Sequence, residues 1–318
     1  MNEINTWRVI DTGLRSAAEN MALNKTLLEA HQEGLIPHTL RFLQFTPCAL
    51  LGFHQSAQQE LRLDYCKENN IEVQRRITGG GAIYFDETQI GWELYLDKKT
   101  LGTADMSAIA RKICEAAAEG ISQLGVNARF RPRNDIEVDG KKISGTGGAF
   151  DGNSILYQGT LLIDFDIERM LRVLRIPAEK LSDKAIESAR ERVANLKDLL
   201  GEVPDMALVK KHITTAFAKA FAVNFSEAGE LSDNEQAIYQ QSSAGRLFQR
   251  AQRSAGGSGR SFARGNAAAP RARSGRHLRL SSARADAKAK AEGYSTVCFA
   301  RRARRISRII YAYQMARA

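Results

Sequence analysis

The sequence changes character at about Ser242, and that break confines any ordinary fold to what precedes it. The chain of 318 residues holds 46 basic and 36 acidic residues, and 16 Arg, 2 Lys, Asp286 and Glu292 of these lie in 242–318, a net charge of +16. The other 28 basic and 34 acidic residues lie in 1–241, so the body is mildly acidic, at −6, although the whole chain carries +10. From 242 to 291 Arg, Ala, Ser and Gly dominate, and large apolar residues thin out to Leu247, Phe248, Phe262, Leu278 and Leu280. Such a stretch buries too little apolar surface to offset its ordering entropy. The expectation is a folded domain over 1–241 and a basic tail over 242–318 that is either disordered or the product of a shifted reading frame. A basic tail invites a nucleic-acid reading, but the body is acidic, and nucleic acid is not an expected partner.

Within the body, apolar residues alternate or recur at helical spacing in short blocks. Residues 7–11 read as a strand, and Ala17, Met21, Leu23, Leu27 and Leu28 carry a helix to about residue 31. Residues 39–51 predict two strand segments around Pro47, ending at Gly52. A helix is expected over 61–70, a strand over 71–77 and further strands over 82–84 and 90–96. The clearest amphipathic helix spans 104–124, with Ile109, Ile113, Ala117, Ile121 and Leu124 on one stripe. Asp139-Gly140 between Ile136-Glu137-Val138 and Lys142-Ile143 signals a hairpin. A strand over 155–165 and helices over 167–174, 184–200 and 206–222 complete the body. Helices interspersed among hairpins, with no regular β-α-β rhythm, predict an α+β fold with a mixed or antiparallel sheet and packed helices.

The four cysteines, Cys48, Cys66, Cys114 and Cys298, show neither CxxC nor Cys/His spacing, so structural zinc and a disulfide framework are not expected. No apolar run approaches the roughly 20 residues that span a bilayer, and residues 1–7 lack the basic and apolar regions of a secretory signal. A cytoplasmic protein without a membrane partner is the expectation.

Four segments carry chemistry. In the first, Arg75-Arg76-Ile77-Thr78-Gly79-Gly80-Gly81-Ala82-Ile83-Tyr84, three glycines leave backbone N–H groups free to face a ligand. Arg76 there is able to pair with a phosphate or carboxylate. No GK[ST] follows, so this is not a Walker loop. The second, Arg133-Asn134-Asp135 through Gly140-Lys141-Lys142-Ile143-Ser144-Gly145, leads Lys142 into small residues where an anion has room beside it. The third, Tyr157-Gln158-Gly159-Thr160-Leu161-Leu162, reads alone as a core strand, and the fourth, Arg192-Val193-Ala194-Asn195-Leu196, as the end of a charged helix.

In order and spacing the four resemble the lipoate–protein ligase A family, within the biotin/lipoate A/B protein ligase fold. That family shows RRxSGGGAVxxD, then RND…GKKISG, HGTLL and RVxNL. The resemblance covers roughly residues 5–230. It implies a biotin/lipoate ligase-like, class II synthetase-like catalytic domain that joins lipoate, or an analogue such as octanoate, to a lysine of an apo lipoyl-domain acceptor through an acyl-AMP. It also implies that Arg76, Gly79, Gly80, Gly81, Ala82, Ile83 and Tyr84 line the nucleotide and acyl pocket. Lys142 would contact both the acyl carboxylate and the α-phosphate as the catalytic residue, with ATP and Mg2+ as cofactors, lipoate as substrate and no metal held by the protein alone. The accessory domain of some members is not recognisable after residue 241, so a separate accessory chain is a possible partner.

The chain departs from the pattern at Phe85, where the family has His, at Thr88-Gln89 in place of Gly-Asn, and at Tyr157-Gln158 in place of His-His. These leave the acyl substrate and acceptor open. The nearest rival is an octanoyltransferase of the same fold, which works through a cysteine thioester. Relatives of that kind place a cysteine a few residues before the GKK hairpin, and residues 129–134 contain none. Cys114 falls on the predicted 104–124 helix as a core residue. A biotin ligase would need a GRGRxGR-like loop, which is absent, and a non-catalytic lipoyl- or nucleotide-binding protein remains a further alternative.

Overall fold

The computed structural model describes residues 6–175, 183–227 and 231–243; the expectations for the tail beyond Ser243 lie outside them. β1 (Thr6–Arg15) ends at Ser16, which starts α1 (Ala17–Gln32) with a capping box: the Ser16 hydroxyl accepts from the Glu19 amide, and the Glu19 carboxylate accepts from the Ser16 amide. The next two amides, of Ala17 and Ala18, donate to the Glu72 carboxylate at 2.8 and 3.0 Å. An acidic side chain 55 positions along the sequence thus satisfies the positive end of the helix.

The chain continues through β2 (Thr39–Phe45), β3 (Cys48–Leu51), α2 (Ala57–Glu60), α3 (Leu63–Glu68), β4 (Glu72–Arg75), β5 (Ile83–Phe85) and β6 (Gln89–Asp97). Then come α4 (Lys98–Leu101), α5 (Met106–Ser122), β7 (Ala128–Arg131), β8 (Asp135–Val138), β9 (Lys141–Asp151) and β10 (Ser154–Leu162). α6 (Ile167–Val173), α7 (Asp183–Arg190), α8 (Leu196–Leu200), α9 (Met206–Phe221), β11 (Asn224–Glu227) and α10 (Asp233–Ser243) complete the described order.

Eight strands form one sheet in the order β11-β1-β2-β6-β10-β9-β8-β7, parallel across β11-β1-β2 and antiparallel from β2 onward. β3 pairs parallel with β4 and antiparallel with β5 in a second, three-stranded sheet. The fold is a mixed α+β one with packed helices, as the sequence predicts. The two segments around Pro47 are both strands, but they enter different sheets.

Alternation within β6 explains why both faces of the large sheet are covered. Ile90, Trp92, Leu94 and Leu96 pack with Ile109, Ile113 and Ile121 of α5 and with Ile213 and Phe217 of α9. Tyr95 belongs instead to the cluster that holds Leu27 and Leu28 of α1, and Glu93 accepts from Asn24 of that helix. A strand buried on both faces reads as a nearly continuous apolar run. The polar residues on the α1 side form a closed network: Arg41 donates to Thr12, Glu93 and Asn20, while Asn24 and Tyr95 donate to Glu93. The charges are fully buried and each is paired, as burial demands.

The sequence reading missed β7, β11, α10 and the short helices α2 and α4, and merged α7 with α8. The single helix expected over 184–200 is interrupted, because residues 192–194 turn to extended backbone that pairs with β9.

Candidate active site

The triple-glycine loop joins β4 to β5 and is shaped from inside by Arg76. This side chain is 6 % exposed, and its guanidinium donates to the carbonyls of Leu50 at 2.9 Å, Gly79 at 2.9 Å and Gly81 at 2.6 Å. Burial lowers its pKa to about 10, so it stays charged at neutral pH. With the carbonyls turned inward, the amides of Gly79, Gly80 and Gly81 have no acceptor among the described residues, and Gly79 and Gly80 face solvent. Gly80 takes φ +99°, and a Cβ on Gly52 would sit 2.0 Å from its carbonyl oxygen, so the loop closes only over a glycine. Ala82 and Tyr84 are buried behind it, and Ile83 is half-buried.

Lys142 lies just after the hairpin turn between β8 and β9. Asp139 and Gly140 take φ +50° and +79°, the paired positive values of a tight two-residue hairpin. A register shift between Ile136 and Glu137 places Lys142 opposite Glu137 and Gly145 opposite Asp135; such bulges re-aim side chains. The Lys142 side chain runs across Gly145, where an added Cβ would meet its Cε and Nζ at 3.1 Å. Its Nζ stands 2.7 Å from Asp135 Oδ1 with its side chain one-third exposed, an ion pair without hydrogen-bond alignment. Asp135 also holds Arg131 at 2.9 Å. The Lys142 backbone is fixed on its other side, where its amide donates to Arg192 O at 2.8 Å and its carbonyl accepts from Ala194 N at 2.9 Å. The fourth motif is therefore the backbone clamp of the second.

The third motif joins the other two. Gln158 donates to Thr78 at 3.2 Å, tying β10 to the glycine loop. Thr160 Oγ1 accepts from Gly145 N and donates to Gly145 O at 3.3 and 3.4 Å. Gly159 leaves room for Trp92, whose ring would lie 2.2 Å from an added Cβ. Asn195 closes the group by bonding both backbone polar groups of Phe165. Space is open above Gly79 and Gly147. Pairwise bonds thus link the four motifs in series, and together they offer free amides, a lysine and small residues, a set suited to an anion. A separate groove of about 700 Å3, bordered by Arg111, Glu115, Phe130 and Arg133, includes none of the candidate residues.

None of the described thiols is accessible at that surface. Cys48, Cys66 and Cys114 are buried, and burial raises the pKa of all three, that of Cys66 to about 11. Each stays a protonated thiol rather than a nucleophilic thiolate. Phe85, at the position of a family histidine, packs on Phe45. Among the described residues no group of three His, Cys, Asp or Glu is disposed to hold a metal, and no helix is long and apolar enough to cross a membrane.

The family model for the lipoyl protein ligase A/B catalytic domain matches residues 16–218, which contain all four motifs. The octanoyltransferase LipM of Clostridioides difficile is 26% identical over 255 residues, covering 74% of this chain and 94% of its own length. Lipoate-protein ligase A subunit 1 of Thermoplasma acidophilum is 30% identical over 218 residues, covering 65% and 81%. A solved structure from the same organism's archaeal lipoylation system, a bi-partite lipoate protein ligase and its E2 lipoyl domain, aligns with a TM-score of 0.68 at 27% identity, over 74% of this chain and 91% of that one. A lipoate-protein ligase A bound with ATP has the same fold, at 24% identity and TM-score 0.64, over 75% and 93%. The chain belongs to the lipoyl protein ligase A/B catalytic-domain family, whose named members include both lipoate–protein ligases and octanoyltransferases.

Proposed function

We propose that the chain activates lipoate, or an analogue such as octanoate, with ATP and transfers the acyl group to a lysine of a lipoyl-domain protein. The observation that supports this reading is Lys142 held by Asp135 and by the backbone of residues 192 and 194, beside the Gly145 that Thr160 bonds, with no accessible thiol among the described residues. The acyl carboxylate attacks the α-phosphorus of ATP, a P–O bond forms and pyrophosphate leaves. The acceptor amine then attacks the acyl carbonyl, AMP leaves with the C–O bond's electron pair, and the amine loses a proton. The Lys142 ammonium neutralises charge in the first step and polarises the carbonyl in the second, which is electrostatic stabilisation without a covalent enzyme intermediate. The free amides of Gly79, Gly80 and Gly81 suit phosphate oxygens, while Ala82, Ile83 and Tyr84 form the wall behind them. Arg76 acts by holding the loop's carbonyls away from the ligand. Magnesium would arrive bound to the triphosphate and would supply charge neutralisation for the departing pyrophosphate.

The bi-partite ligase of Thermoplasma acidophilum and its E2 lipoyl domain support an acceptor of that kind and a separate accessory chain. A second reading, octanoyl transfer from an acyl-carrier thioester, is favoured by the LipM of Clostridioides difficile, which aligns along 94% of its length. Incubation with ATP, magnesium, lipoate and an apo lipoyl domain, followed by intact mass of the acceptor, separates the two. ATP-dependent mass gain is expected. Transfer from an octanoyl-carrier thioester without ATP would replace the ligase reading with the second.

A further inference from the structure

Behind the sheet, on the face opposite Lys142, the side chains of Tyr157 and Cys114 converge on the Thr146 hydroxyl, which itself bonds a backbone carbonyl. Thr146 of β9 donates from both its amide and its hydroxyl to Asn134 O, each at 2.9 Å, and its own carbonyl accepts from Asn134 Nδ2 at 2.7 Å. The Thr146 hydroxyl also lies 2.9 Å from the Tyr157 hydroxyl and 3.2 Å from Cys114 Sγ. A hydroxyl has one proton and two lone pairs. Since that proton goes to Asn134 O, Thr146 accepts from the phenol of Tyr157, and the Cys114 thiol, which also lies 3.5 Å from the Tyr157 oxygen, donates to one or other of these hydroxyls. Both donors remain protonated, because burial raises the pKa of each. Three protons thus point along one chain towards Asn134, and successive bonds of this kind polarise one another. Tyr157 is held in turn by the Trp92 ring stacked against it.

Asn134 immediately precedes Asp135, whose carboxylate holds Lys142 Nζ. We propose that Thr146, with Tyr157 and Cys114 behind it, is a positioning residue that fixes the Asn134–Asp135 backbone and so sets where the Lys142 ammonium stands. Tyr157 occupies a position where the family pattern has histidine, which makes the phenol–hydroxyl–thiol chain a feature of this sequence. The proposal rests on the ligase reading for its effect on rate, but not for its effect on backbone order.

The test uses the full chain and three variants, Thr146→Val, Thr146→Ser and Tyr157→Phe. Acyl transfer is measured as above, and hydrogen exchange is followed in peptides covering residues 133–146. Thr146→Val is expected to lower kcat roughly tenfold or more, since small misplacements of a catalytic group are costly, with KM for lipoate and ATP changed less than about twofold. Tyr157→Phe should have a smaller effect in the same direction, and Thr146→Ser should restore kcat. Exchange at 133–146 should quicken in the valine and phenylalanine variants and not in the serine one. Wild-type kcat in Thr146→Val, equal losses in the valine and serine variants, or unaltered exchange would each overturn the proposal. If the wild-type chain transfers no acyl group, the ligase reading fails and exchange alone decides: quickening upholds the brace, and its absence overturns it.

Discussion

Lys142 alone is an exposed hairpin lysine, and only its neighbours give it a role. Asp135 holds its tip, Gly145 leaves room for its stem, and residues 192 and 194 fix its backbone. If it stabilises the adenylation transition state, Lys142→Ala should lower kcat by roughly 100- to 1000-fold, the loss seen when a preorganised electrostatic group is removed. The acceptor should still bind, and the melting temperature should hold, because the lysine is one-third exposed. Cys114→Ser provides the opposite control: it keeps a hydroxyl donor beside Thr146 and removes a thioester route through this cysteine. Adenylate chemistry predicts acyl transfer within a few-fold of wild type, whereas a cysteine mechanism predicts its complete loss. The order of the motifs made Lys142, Arg76 and the glycines legible in the sequence. It left hidden that Arg76 bonds the loop's own carbonyls, because the direction of a buried guanidinium depends on residues 26 positions away.

At the scale of elements, the glycine loop rests against the turn after β3. Gly52→Ala sets a Cβ 2.0 Å from a backbone oxygen, with no flexible side chain to yield. The expected result is a displaced loop, weaker ATP binding by calorimetry, and about 1–3 kcal/mol of lost stability. A second element junction titrates. His31 of α1 bonds Ser154 of β10 at 2.7 Å and His38 at 2.8 Å, and His38 bonds Thr100 of α4 at 2.8 Å, with Asp97 at 4.0 Å. Burial, with the neighbouring His38 adding to it, lowers the His31 pKa from 6.5 to about 4, and burial lowers that of His38 too. Between these values the unfolded chain binds protons that the folded chain resists. Stability is therefore full above pH 6.5 and falls as pH drops towards 4, by roughly 3 kcal/mol from His31 alone. Urea unfolding at pH 7 and pH 5 should show the loss, and His31→Gln should remove most of it. Equal midpoints at the two pH values would refute the assignment. Helical and alternating periodicity revealed α1, β6 and β10, but not that 123 residues of chain bring His31 to Ser154. The break between α7 and α8 was hidden for the same reason, since 192–194 leave the helix to pair with a distant strand.

At the scale of the molecule, the folded body reaches past the family match and closes on its own first strand. Arg8 of β1 makes two bonds to Glu235 of α10, at 2.9 and 2.6 Å, and Glu235 is fully buried. The same carboxylate accepts from the Ser232 amide and hydroxyl at 2.7 and 2.8 Å, while Ser232 Oγ accepts from Glu235 N. A capping box thus doubles as an ion-pair clamp. Ser232-Asp233-Asn234-Glu235 has the S-x-x-E spacing of a helix start, but the segment after it has too few apolar residues to form a helical stripe. Removing one partner of a buried pair leaves the other charge uncompensated, at a cost of about 3–5 kcal/mol. Glu235→Ala should therefore lower the urea midpoint sharply, and Arg8→Met in the same chain should recover part of the loss. The clamp also predicts where the chain can be cut. A protein ending at Ser243 keeps α10 and should match the full chain in midpoint and acyl transfer, while losing any affinity for polyanions that the +16 tail supplies. One ending at Glu227 loses the clamp and should unfold at least as readily as Glu235→Ala. If both truncations unfold at the full-length midpoint, the clamp does not stabilise the body, and the edge of the domain lies before α10.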